Sequence, residues 1–305
     1  METKIRPRLS VIVAAHNGKK ELLSCLSALK EQYSLEKPDT CEIIVVGYLN
    51  GETKKCIEEK FPMAKALQTS TPLSVPNLRS LGIKASKGDI LAMLEDHCVP
   101  ANDWIQTILL NHQTEHIIVV GGAVENNCTG RITDWAVYFF EYSTFMNPIS
   151  NGKTTSLPGN NVSYKRFVIQ YFEDMLEQNL WESFWHSRLI QKGIFLTTDP
   201  DMIVYHNRSF HIMKFWLISF KHGYNYAVAR LQHSLFRQML WIMFSTFLPL
   251  ILTFRVGYRI LKKQRHLKEF IASSPVILWF YIGWTLGEII GTFARHPINE
   301  NGWGG

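Results

Sequence analysis

Residues 87–97 run Lys87-Gly88-Asp89-Ile90-Leu91-Ala92-Met93-Leu94-Glu95-Asp96-His97, and they decide how the rest of the chain is read. The unbroken apolar run from Ile90 to Leu94 is too short for a helix and fits a strand buried on both faces. Before it, helical spacing predicts a helix from about Ser74 to Lys87, with Pro76 tolerated in the first turn and Gly88 suited to the stop. After it stand two carboxylates and an imidazole. Ligands of open α/β sheets collect at the carboxyl ends of strands, so Glu95, Asp96 and His97 mark where chemistry is expected. On this stretch alone a plainer reading stays open, in which Glu95 and Asp96 cap a helix beginning near Asn102.

Working outward, the N-terminal half alternates short apolar runs with amphipathic ones, the rhythm of β-α-β units around a mainly parallel sheet flanked by helices. Leu9 to Ala14 is the first strand, and Asn17 is placed to cap a helix carrying Leu22, Leu23, Leu26 and Leu29 at helical spacing. Glu42 to Val46, Ala64 to Leu67 and Ile117 to Gly122 read as further strands. The segment from Thr129 to Tyr164 reads as loops with a short aromatic helix. Trp181 to Lys192 is helical by pattern and ends at Gly193; two β-like runs, Ile194 to Thr198 and Met202 to His206, close the α/β part.

With 305 residues and 46% apolar content the chain has room for one large α/β domain or two modest ones, and disorder is excluded. The formal charge of +6 suits nucleic acid, anionic lipid or a phosphorylated substrate. Distribution decides, because Arg255, Arg259, Lys262, Lys263, Arg265 and Lys268 cluster beside apolar segments and no nucleic-acid motif occurs, which favours membrane phosphate over DNA. The five cysteines, an odd number without CxxC spacing, read as reduced thiols. The charged start, Met1 to Arg8, predicts no cleavable signal peptide and a cytosolic N-terminal part.

Four pieces, in order, resemble glycosyltransferase family 2. The opening Leu9-Ser10-Val11-Ile12-Val13-Ala14-Ala15-His16-Asn17 is similar to the family's first nucleotide-binding loop. Asn77 to Ile83 followed by Lys87 to His97 is similar to its helix and acidic metal motif, Pro158-Gly159-Asn160-Asn161 to its acceptor-side loop, and Trp181-Glu182 through Gly193 to its catalytic-base helix. The resemblance spans roughly residues 9 to 206 and implies a GT-A fold that binds a nucleotide-sugar donor. It places Ala14, Ala15, His16, Asn17, Arg79, Glu95 and Asp96 at the donor, and Gly159, Asn160, Asn161 and Trp181 at the acceptor sugar. Glu182 is its general base, with desolvation by Trp181 and Trp185 expected to raise the pKa.

Paired acids facing a departing diphosphate imply a divalent cation, Mg²⁺ or Mn²⁺. The resemblance gives Asp96 as the direct ligand, with His97 and His206 as further candidates, although a buried structural histidine is the plainer reading of His206; an imidazole at position 97 tilts the choice toward Mn²⁺. Arg79 is expected to grip the diphosphate. The sequence departs from the family after the second strand, where the usual Asp is replaced in the run Val45-Val46-Gly47-Tyr48-Leu49-Asn50, and there Tyr48 and Asn50 are candidates for the base.

Residues 1–210 are thus expected to form the catalytic domain and 211–305 a helical, membrane-associated region, the aromatic residues thickening toward Trp279, Trp284 and Trp303. Met239 to Phe254 is short for a span and interrupted by Pro249; Pro275 to Ala294 is longer, with Gly283, Gly287 and Gly291 spaced for close helix packing and Glu288 inside it. Two spans would put the basic run between them on the side opposite the catalytic domain, against the positive-inside rule. The first segment is therefore expected to lie in or dip into the interface, and the second to be re-entrant or a single span. The alternative is a soluble helical subdomain.

The leading reading is an inverting, metal-dependent hexosyl transfer to a lipid-linked or cell-envelope glycan at the cytosolic membrane face, with membrane lipids as partners, a homo-oligomer allowed and nucleic acid excluded. A catalytically degenerate nucleotide-sugar-binding scaffold is the alternative. A nucleotidyltransferase is disfavoured, because no glycine-rich phosphate loop occurs near the N-terminus.

Overall fold

The computed structural model describes residues 7–16, 18–35, 40–230, 242, 244–294, 296 and 298. The chain divides into two compact units, one made of residues 1–125, 145–207 and 301–305, the other of 126–144 and 208–300.

The first unit is a mixed α/β layer structure on a nine-stranded sheet. Its strands are β1 (Leu9–Ala15), β2 (Cys41–Gly47), β3 (Ala64–Gln68), β4 (Ile90–Glu95), β5 (Cys98–Pro100), β6 (Val119–Asn126), β7 (Gly152–Thr154), β8 (Val162–Lys165) and β9 (Leu196–His206). The order is β3-β2-β1-β4-β8-β6-β9-β5, with β7 on β9. β3, β2, β1 and β4 are parallel neighbours, whereas β8 runs antiparallel to both β4 and β6. Every residue of β1 is buried, as expected of a strand covered on both faces.

Helices α1 (Lys19–Tyr33), α2 (Gly51–Lys60), α3 (Val75–Ala85) and α4 (Trp104–Gln113) connect the first strands, and α6 (Glu173–Glu177) and α7 (Glu182–Gln191) precede β9. The main core joins Ile12, Leu91 and Met93 to Tyr164, Phe172, Trp185 and Leu189, so α7 is seated on the sheet by its aromatic face.

Several expectations are corrected in detail. α3 ends at Ala85, so Gly88 is not its stop; a Cβ there would lie 2.6 Å from the Ser10 backbone nitrogen, and glycine is required because β1 passes so close. The segment after Thr129 is more regular than its sequence suggests, with β7 and β8 built into the sheet and α5 (Ile132–Tyr142) in the second unit. The two β-like runs at the end are one strand, β9. The cap expected from Asn17 lies outside the described residues.

The second unit is helical: α5, α8 (Ile212–Arg230), α9 (Leu248–Lys263) and α10 (Leu267–Thr292). Pro249 does not break α9 but occupies its first turn, where the missing N–H has no helical partner to lose. Residues 239–241 and 243 of the first expected apolar segment lie outside the described residues. α8 and α10 run side by side in parallel and nearly touch backbone to backbone; a Cβ on Gly287 would lie 1.9 Å from the Phe220 carbonyl oxygen.

Candidate active site

At the carboxyl end of β4 the backbone turns so that Asp96 faces the tip of β1. The Asp96 N–H donates to the Ala14 carbonyl (3.1 Å), and its Oδ2 accepts the His16 N–H (2.9 Å). Asp96 is thus fully buried and aimed by two bonds to the β1 tip. Three imidazoles gather around it. Nδ1 of His16 and of His97 stand 3.9 and 3.8 Å from Asp96 Oδ1, and His97 Nδ1 lies 3.6 Å from Glu95 Oε2. The His206 ring meets His97 edge-on at 4.9 Å between centroids, because β9 pairs with β5 and sets His206 opposite Cys98.

Neither Glu95 nor Asp96 caps a helix. α4 starts only at Trp104, with Asp103 as its cap residue and no side-chain cap bond. Short β5 intervenes, and the acidic tip is left to the sheet end.

Arg79, on α3, ties this tip to the opposite wall. Its guanidinium is completely buried; Nη2 donates to Glu95 Oε1 at 2.7 Å, and Nη1 is ion-paired with Glu182. Burial alone would raise the Glu95 carboxyl, but Arg79, with His97 and His16, overcomes that and holds it below the ordinary glutamate value. Burial likewise opposes the His97 imidazolium, yet the Cys98 sulfur and the Asp96 and Glu95 carboxylates raise it well above the ordinary histidine value.

Glu182 is the first residue of α7, at the helix end that favours negative charge. Its predecessor Trp181 packs on a cluster of Ala14, Ile44, Val46, Val75 and Leu78, which anchors the helix start against β1, β2 and α3. Gly159 closes the pair from the third side. A Cβ there would lie 2.5 Å from Glu182 Oε2 and 3.1 Å from Arg79 Nη1. Glu95, Asp96, His97, His206, Arg79, Gly159 and Glu182, drawn from segments up to about 130 residues apart in the chain, are therefore linked contact by contact in one buried cluster.

Other expected residues are placed differently. Asn161 does not offer its amide to a sugar: it is fully buried, accepts the Trp104 indole N–H at 2.8 Å, and donates to the Ala123 and Met202 carbonyls at 2.8 Å each. Both amide hydrogens are engaged, which makes it a brace between α4, β6 and β9. Asn160 is also buried and donates to Cys98 Sγ at 3.2 Å. Asn50 caps α2, its side-chain oxygen accepting the Thr53 N–H, and Tyr48 stands 57% exposed just after β2. Asn17 lies outside the described residues.

The link from Arg79 to Glu182 escaped sequence reading, since nothing local connects positions so far apart. The buried His186, bonded to the Tyr164 hydroxyl at 2.8 Å, was equally missed, though it lies one turn after Glu182 and helical spacing points to it. Among the described residues, no three His, Cys, Asp or Glu side chains are already arranged as a metal-ligand set. An ion held here would rest on the Asp96 carboxylate and complete its shell with diphosphate oxygens, as Mg²⁺ and its substitutes commonly do, and binding at His97 would require loss of the proton that its neighbours favour.

The chain thus carries a mixed sheet with an acidic tip at the end of its fourth strand and a buried glutamate at a nearby helix start. Residues 10–172, more than half of the chain, match the family model described as Glycosyl transferase family 2, and the chain belongs to that family. It is a glycosyltransferase of the GT-A fold. Similar solved structures include the mannosyltransferase PcManGT from Pyrobaculum calidifontis in complex with GDP-Man and Mn²⁺, at 16% identity and TM-score 0.51 over 88% of this chain and 74% of that one. S. aureus TarS 1–349 is similar at 15% identity and TM-score 0.50, over 88% of this chain and 90% of that one. At these identities the likeness establishes the fold alone. No curated protein sequence matches the chain.

Proposed function

We propose that this chain is an inverting, divalent-metal-dependent glycosyltransferase that moves a hexosyl group from a nucleotide-sugar donor to a lipid-linked or cell-envelope glycan acceptor at the cytosolic membrane face. The observation that carries this reading is the Arg79 guanidinium, bonded to Glu95 at the donor end and to Glu182 at the other.

In the proposed reaction Glu182 takes the proton of the acceptor hydroxyl as its oxygen attacks C1 of the sugar. The new C1–O bond forms as the bond from C1 to the diphosphate breaks, and the electron pair leaves with the nucleoside diphosphate, inverting C1. The Arg79 ion pair and Gly159 fix the place of the Glu182 carboxylate. Asp96 would hold the divalent ion, joined by His206 and by His97 once His97 has given up the proton its neighbours favour, and the ion's chemistry is to neutralise the developing diphosphate charge. The related mannosyltransferase structure holds Mn²⁺ with GDP-Man, which motivates trying Mn²⁺ and a guanosine donor first.

The membrane-face acceptor is supported by the basic residues Arg255 to Lys268 clustered beside the apolar helices α9 and α10. On this reading residues 1–210 catalyse and 211–305 attach, with the stretch 126–144 joined to the helical part.

The test is donor hydrolysis across a panel of nucleotide sugars, with Mn²⁺, with Mg²⁺ and after chelation. Turnover that requires the ion supports the reading. Donor binding without turnover under every condition would instead favour a scaffold, to which the missing Asp after Val46 already points.

A further inference from the structure

α9 carries two faces of opposite meaning. Its inner face, Val256, Gly257 and Ile260, is buried, and a Cβ on Gly257 would lie 2.9 Å from the Phe270 ring. Its outer face shows Leu250, Ile251, Phe254, Tyr258 and Leu261, each between 58% and 78% exposed, at successive turns of one stripe. A run of large apolar side chains this exposed marks an interaction surface.

The charges next to the stripe are sorted as well. Arg259 and Lys263 turn inward, to the Ser143 hydroxyl (3.3 Å) and the Thr144 carbonyl (3.1 Å), whereas Arg255 and Lys262 remain exposed. From residue 202 to 268 the chain has eleven lysines and arginines and no aspartate or glutamate, while the whole protein carries only +6.

We propose that α9 lies in the plane of the membrane interface, its Phe254 stripe among the acyl-chain ends and headgroups of an anionic bilayer, and that α10 is the core of the helical unit rather than a span. This deepens the membrane attachment proposed above and rests on it.

Length and charge choose this occupant. Sixteen residues at about 1.5 Å each reach roughly 24 Å, short of the ~30 Å hydrocarbon core, so α9 cannot cross. A second copy would bring the same positive rim against this one, and like charges repel; anionic headgroups complement it. α10 passes the length test for a span, and with 39% of its apolar window buried its own burial does not decide; the helix beside it does. Its glycines hold it against α8 along their parallel course, and α8 carries Lys214, Lys221, His222 and Asn225. A spanning α10 would take that polar helix into hydrocarbon, where such groups are costly.

The experiment is co-sedimentation of the full chain with vesicles of phosphatidylcholine alone and of phosphatidylcholine mixed with phosphatidylglycerol. Wild type should bind the anionic vesicles about tenfold tighter or better, with the preference fading as salt rises. The F254E/L261E variant should lose about tenfold or more on both, and R255E/K262E should lose only the anionic preference. Donor hydrolysis and thermal midpoint should stay at wild-type values in both variants, since these side chains are exposed and outside the catalytic site. Vesicle binding that survives F254E/L261E would overturn the proposal, as would loss of a dimer in that variant with lipid binding intact. Wild-type protein that resists extraction from membranes by alkaline carbonate would make α10 a span and overturn the second part. Should no donor be turned over while the vesicle results hold, the proposed reaction fails and the docking surface stands.

Discussion

Replacing Arg79 by leucine removes a guanidinium that is completely buried and leaves two carboxylates, Glu95 and Glu182, with 13% and 6% of their side-chain surface exposed and their shared partner gone. Breaking a buried pair by deleting one partner costs about 3–5 kcal/mol, because the remaining charge is left uncompensated. At roughly 2–4 °C per kcal/mol, the thermal midpoint of R79L should fall by about 10 °C at a fixed scan rate. Most of that loss should return in R79L/E95Q/E182Q, which leaves no buried charge at the site. The two accounts of Arg79 then separate in kinetics. A residue gripping the diphosphate would, on removal, raise the donor KM and leave the midpoint nearly unchanged. A residue positioning Glu182 would lower kcat and the midpoint together. An R79L protein melting within about 2 °C of wild type, or amide substitutions that add to its loss instead of offsetting it, would refute the bridge.

Gly159→Ala should reduce kcat and the thermal midpoint together, because its new Cβ must displace the Glu182 carboxylate, 2.5 Å away, and so disturb the buried pair with Arg79; steady-state kinetics beside a melting curve reads this. Asn161→Ala strands the Trp104 indole N–H and two carbonyls, at about 1–3 kcal/mol for each buried group left unpaired, so the midpoint should fall with the donor KM unchanged. Burial lowers His112 to about 4 and His186 to about 3, so both stay neutral in the fold while their unfolded forms gain protons below about 6.5. Stability should therefore be full above about pH 6.5 and decline as pH falls toward 4, by roughly 2–3 kcal/mol per histidine at pH 4.5. Urea midpoints at pH 7 and 4.5 measure it, and a His112→Asn, His186→Gln variant should show a shallower slope.

The parallel half of the sheet was legible because its signals are local. β1, β2 and β4 are short apolar runs buried on both faces, and their order needs only the β-α-β rhythm. The antiparallel half was not. β8, Val162–Lys165, alternates no differently from a loop with scattered apolar residues, and its place between β4 and β6 is fixed by partners 41 to 75 residues away. The acidic tip was readable as a strand end, yet its wiring was not. Asp96 is oriented by a backbone N–H at position 16, and Glu182 by a guanidinium at position 79. Residue type alone misled at Asn161, whose amide braces three elements, and at Gly88, which a close-passing strand requires.

The central claim is that one carboxylate, on the far side of Arg79 from the acidic tip, draws the acceptor proton. Single-turnover transfer by Glu182→Gln, an isosteric change that keeps the side chain's volume, measures it most directly with a donor found in the panel. The account predicts a rate at least about a hundredfold below wild type, with donor affinity within about twofold. A Glu182→Gln rate close to that of wild type would contradict it and move the base to another residue.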